Sequence, residues 1–144
     1  MASRKGVAVF NGTDWARVQN VPANVLCLKA DSTAQIIYTG LKDEFGFIYK
    51  DTLGKYKYQA IKQFEENTGE FNQIILTSNQ VIFYSAGSIF MVDLQDHTKV
   101  AQLKNDKNVR YSGLLIRKNQ LYVNVVGTGV CKLSDNQVNS TKRW

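Results

Sequence analysis

Proline is almost missing from this 144-residue chain: Pro22 stands alone. With Val, Ile, Thr, Tyr and Phe frequent, that scarcity favours strands, because proline lacks the N–H a sheet ladder needs. Histidine is equally scarce. His97 is the only one and falls in a turn segment, so a Cys/His metal site at ligand spacing is not expected, and no cofactor is. The two cysteines, Cys27 and Cys131, are far apart and each sits in an apolar strand pattern. They read as small buried hydrophobes rather than a disulfide framework. No apolar stretch approaches the ~20 residues of a membrane span. The first apolar run ends at Asn11, short of a signal-peptide core. As written, the chain is expected to be cytoplasmic and to make no membrane contact. The charge is +6, yet Lys and Arg are scattered and form no arginine-rich run, so nucleic acid is not an expected partner.

What the sequence does contain is a repeated strand grammar. IIYTGLKDEFGFIYK at 36–50 reads as two strands around a polar, glycine-bearing turn. VLCLKA at 25–30 precedes it and YKYQAI at 56–61 follows, giving four strands in series. A polar stretch, KQFEENTGEF at 62–71, reads as a loop and a unit boundary. A second quartet runs through NQIILTS, QVIFYSA, SIFMVDL and TKVAQLK, over 72–104. KNDKNVR is the next boundary, and a third quartet occupies about 111–144. At the N-terminus, GVAVF and WARVQ form a hairpin about Asn11-Gly12, which reads as the outer half of another unit, at 6–19. The period is about forty residues, four strands each, as for a β-propeller blade. The expected fold is therefore all-β: a partial propeller of antiparallel four-stranded blades, filling 1–144 as one domain.

The strands carry near-continuous apolar runs, IIY, VIFY and IFMV. Such runs mean that both faces of a sheet are covered, as stacked blades would cover them. Phe10, Tyr38, Phe47, Phe83, Phe90 and Tyr122 fall at equivalent positions and read as core between blades. Closed propellers need about 4–8 blades. Three and a half blades imply the remaining blades of a parent propeller, or a second copy, as partner.

These residues resemble a known family. GVAVFNGTDWARV is similar to a hairpin of bacterial two-component-regulator propellers, and IIYTGLKDEFGFI to a blade motif in members with a three-tyrosine domain after the propeller. Gly40, Glu44, Phe45 and Gly46 carry that match, with Phe47 where the family usually has tyrosine. VIFYSAGSIFMVDL and QLYVNVVGTGVCKL resemble later blades, in order. The resemblance implies a periplasmic sensor in which the propeller detects a ligand, often a saccharide or its breakdown product. A three-tyrosine domain, a membrane helix and a kinase or DNA-binding output then carry the signal. Only the recognition half has a counterpart in this chain.

The chemistry on offer is thin. Asp43 and Glu44 are adjacent carboxylates that point different ways at a strand end, so they cannot form a facing acid–base pair without another partner. Gly127-Thr128-Gly129 lacks the helix of a dinucleotide fingerprint and reads as a hairpin closure. EENTGE lacks calcium-loop spacing. No catalytic residue is expected, and the chain reads as a non-enzymatic binding module. If it takes a ligand, the expected place is the rim carrying the 41–44 turn, where loops on a rigid scaffold do the recognising. Lys42, Asp43, Glu44, Phe45, Lys107 and Arg110 are the candidate contacts, with a saccharide as the ligand. For aromatics near a loop, such as Phe45 and Tyr111, a sugar-stacking platform is the alternative to a place in the core. The alternatives are a protein-interaction propeller piece and the remnant of a glycan-active enzyme.

Overall fold

The structure, a computed structural model, describes residues 2–3, 6–10, 15–22, 25–64, 69–85, 88–104, 110–118, 120–134 and 137–139. Its fold is all-β, in four antiparallel sheets, none of them closed into a barrel. Strands β1 (Ala2–Ser3), β2 (Gly6–Phe10) and β3 (Trp15–Arg17) form a three-stranded sheet. β4 (Val25–Asp31), β5 (Ile36–Leu41), β6 (Glu44–Lys50) and β7 (Tyr56–Gln63) form the second. β8 (Gln73–Leu76), β9 (Gln80–Ser85), β10 (Ser88–Asp93) and β11 (Val100–Lys104) form the third. β12 (Tyr111–Arg117), β13 (Gln120–Val125), β14 (Gly129–Ser134) and β15 (Gln137–Asn139) form the fourth. Each sheet is a meander in which sequence neighbours pair. Among the described residues no helix is long and apolar enough to cross a membrane.

The turns explain the short connections. Asp31 Oδ1 accepts the N–H groups of Thr33 and Ala34, and Asp51 Oδ1 those of Leu53 and Lys55. Asp93 does the same for Gln95 and Asp96. Each is a carboxylate folded back onto its own turn, the role that makes aspartate a turn residue. The Asn11-Gly12 turn and the Ala86-Gly87 turn lie outside the described residues. Strand β1, which pairs Ala2 with Val7, was not expected; it gives the N-terminal hairpin a third strand.

The chain divides into two compact units, Met1–Ile74 and Ile75–Trp144, a division that falls inside β8. In the first unit, Val7 and Val18 pack with Leu41, Ile48 and Tyr58, so the three-stranded sheet covers one face of β4–β7. In the second, Ile75, Ile82, Ile89 and Met91 meet Leu121, Val123, Cys131 and Leu133, so β8–β11 and β12–β15 lie face to face. Burying each such side chain contributes about 1.5–3 kcal/mol. The expected core aromatics Tyr38, Phe83 and Phe90 are buried, while Phe47 and Tyr122 are half-buried. Phe10 is a correction: it is 51% exposed and packs on exposed Trp15, with ring centroids 5.1 Å apart. Strand alternation puts it on the face of β2 opposite Val7 and Val9, the face not turned to β4–β7.

Candidate functional site

On the expected rim, the 41–44 turn joins β5 to β6. Asp43 takes a left-handed backbone there, φ 56°, tolerable for aspartate. Its Oδ1 accepts the Gly69 N–H at 2.9 Å, and its own N–H donates to the Gly69 carbonyl at 2.8 Å. Phe71 N–H donates to Leu41 O at 3.0 Å, and Lys42 bridges to Glu70. The 69–71 segment is thus a short strap laced along the 41–43 turn. Its composition is that of a loop.

The strap accounts for the Gly40, Glu44, Phe45 and Gly46 motif in packing terms. Gly40 leaves a notch: a Cβ there would run into the Phe71 carbonyl and lie 2.7 Å from Cys27 Sγ. The Cys27 thiol donates to that same carbonyl at 3.3 Å, and burial pushes its pKa up to about 11. Phe45 is fully buried, its ring 5.0 Å from Phe71 and 6.2 Å from Phe64. Glu44 Oε2 accepts the Tyr58 hydroxyl at 2.7 Å, and Gln63 Nε2 donates to Oε1 at 3.3 Å. Burial first, then the Glu44 carboxylate, raises the Tyr58 pKa far above that of a free phenol. Gly46 makes room for the Tyr58 ring, whose hydroxyl and Cε1 would lie 2.7 and 2.8 Å from a Cβ.

Of the six residues expected to touch a ligand, Lys42 is exposed at the turn, and Asp43 and Glu44 hold the loop and Tyr58. Phe45 is a core residue with no exposed surface. Arg110, in the second unit, is exposed, and its carbonyl accepts the Val126 N–H. Lys107 lies outside the described residues. Tyr111, the other expected stacking ring, is half-buried against the second unit's core. His97 is half-buried in the β10–β11 turn, and burial lowers its pKa from 6.5 despite Asp93 and Asp96. Among the described residues no three His, Cys, Asp or Glu side chains gather as a metal site.

A cavity of about 370 Å³ opens at the other end of the same sheet, at the mouth of the first unit's core. Val9 of β2 with Ile36 and Ile37 of β5 give it apolar walls. Asp31, Ser32 and Gln35 come from the β4–β5 turn, Lys50 from the end of β6 and Tyr56 from the start of β7. Lys50 and Tyr56 are cross-strand partners, and the ammonium lies 5.8 Å above the phenol ring. Gln35 is held with φ 56° at the turn's end. Asp31 also acts at a distance: after burial, its charge is the second cause holding the Tyr38 phenol at about 12. No local pattern announces this cavity, because its lining comes from three separated segments. No family model and no curated protein matches the chain.

Proposed function

We propose that the chain is a non-catalytic recognition module, the ligand-sensing part of a β-propeller of the two-component-regulator kind, and that it takes a saccharide or saccharide-derived signal. The repeated four-stranded meander carries this reading, since in each unit a sheet is stacked on its neighbour as blades are stacked. The cavity at Asp31, Lys50 and Tyr56 supports a binding role: it is a pocket with apolar walls and a few polar groups. Asp43 and Glu44, the adjacent carboxylates of the other rim, are occupied in holding Gly69 and Tyr58. The test is to titrate the isotope-labelled chain with a panel of neutral and acidic saccharides while assaying the same samples for cleavage products. Binding without products is expected. Product release that disappears in Glu44→Gln would replace this reading with a glycan-active enzyme.

The exposed Phe10–Trp15 pair favours a second reading, in which the N-terminal sheet docks on further blades or another protein. Light scattering decides it: a monomer at high concentration, unchanged by Trp15→Ser, removes a second copy of the chain as that partner.

A further inference from the structure

We propose that the Lys50–Tyr56 cavity binds a small hydroxylated carboxylate, of the size of a single hexuronate ring, with the carboxylate on the Lys50 ammonium. The inference rests on the binding reading above and narrows it to one site and one ligand class. Size comes first. At about 370 Å³ the cavity stands at the low end of the ~300–1,000 Å³ usual for ligand pockets, enough for one ring and not for a chain.

Charge comes second. Lys57 pairs with Asp51 at 3.1 Å, whereas Lys50 makes no ion pair with a described residue. A lysine ammonium brings three donors, and the Lys50 ammonium lies over the face of Tyr56. The one carboxylate in the cavity, Asp31, is turned onto its own loop, where Oδ1 accepts two backbone N–H groups. Asp31 keeps its charge, so the formal charges of the lining balance, and the Lys50 ammonium is the one of the two that no described carboxylate or carbonyl holds. An apolar ligand would strip water from Lys50 without replacing it, whereas a carboxylate would replace that water with a charge-assisted hydrogen bond.

Hydroxyl recognition comes third. Ser32, Gln35 and Tyr56 supply donors and acceptors on the turn side, while Val9, Ile36 and Ile37 present a surface suited to the C–H face of a sugar ring.

The probe is sodium glucuronate, compared with glucose and with acetate at constant ionic strength, read from amide resonances and calorimetry. Glucuronate should shift Ser32, Gln35 and Ile36 and bind at least about tenfold more tightly than glucose or acetate. Lys50→Met should bring glucuronate down to the glucose level. Lys62→Met, an equal loss of charge at the opposite end of the sheet, should leave it within about twofold, which separates a site from general attraction to a +6 chain. Lys50 is exposed, so the variant should keep the wild-type spectrum and melting point. Equal affinity for glucose and glucuronate, indifferent to Lys50→Met, overturns the anion assignment and leaves the cavity as a binding site. Cavity resonances unmoved by any of the three overturn this proposal, while binding of other saccharides in the panel would keep the wider reading. Loss of binding in Lys62→Met instead of Lys50→Met moves the site to the other end of the sheet and overturns the assignment.

Discussion

Gly46→Ala should be among the costliest single-methyl additions in the chain. Gly46 is absent from the residues with positive φ, so the new methyl is opposed by space and not by backbone conformation. It would fall well inside 3.0 Å of the Gln59 carbonyl and 2.8 Å from Tyr58 Cε1, where ordinary contact begins at 3.4 Å. The ring must withdraw by about 0.6 Å, 3.4 against 2.8 Å. That motion stretches the 2.7 Å bond from the Tyr58 hydroxyl to Glu44. Overpacking of this kind costs about 1–3 kcal/mol. Losing a hydrogen bond to a charged group costs about 1.5–3 kcal/mol more. Replacing glycine by alanine returns about 0.4–1 kcal/mol by restricting the unfolded chain. The net loss should be about 2–5 kcal/mol, a large share of the ~5–15 kcal/mol typical of a domain. Urea titration followed through resonances of Ile48 and Tyr58 measures it for the first unit alone. In a Tyr58→Leu background the same methyl should cost at least about 1 kcal/mol less, because part of what it strikes is gone. A loss under about 0.5 kcal/mol, or strict additivity with Tyr58→Leu, would refute the account of Gly46 as the seat of the Tyr58 ring.

Gly40→Ala should pry the strap from the turn, because the new methyl occupies the place of the Phe71 carbonyl. Amide exchange at Phe71 and Gly69 should accelerate more than tenfold, while amides of β9 and β10 stay protected; unchanged protection at Phe71 would contradict the notch. The fold holds His97 with a pKa below 6.5, so its stabilising neutral form is fully present above that value. Stability should then fall as pH drops from 6.5 through the lower folded pKa, and His97→Asn should flatten that part of a melting-temperature profile. An unaltered slope in the variant would assign the dependence to other groups.

The strand order was readable because most strands hold an apolar run and many end at Gly, Asp, Asn or Ser, and the turns after Asp31 and Asp93 use those residues as anticipated. Strand β1 was not, since Met-Ala-Ser carries no branched or aromatic residue beyond its pairing partner's pull. The strap was hidden for a different reason. Its pairing is one bridge across twenty-eight positions, Lys42 to Glu70, inside a segment whose composition is that of a loop. The motif at 40–46 was visible as a pattern, but its meaning lay in Cys27, Tyr58 and Phe71, residues distant in sequence whose approach composition does not announce. For the same reason Phe45 read as an aromatic near a loop, when the neighbouring Phe64 and Phe71 close over it. The cavity joins Val9, the 31–37 segment and the Lys50–Tyr56 pair, a meeting fixed only once β2 lies over β5 and β7.

The strap also changes where the β4–β7 module ends. Its hydrogen-bonded ladder stops at Gln63, but the ring and carbonyl that complete its interior belong to Phe71. A gene fusion, deletion or excised module cut just after the ladder would keep every strand and still leave Phe45 uncovered and Leu41 short of a donor. The natural seam for recombination lies after the phenylalanine, which ties the span from β7 to β8 to the unit before it rather than leaving it as a neutral spacer.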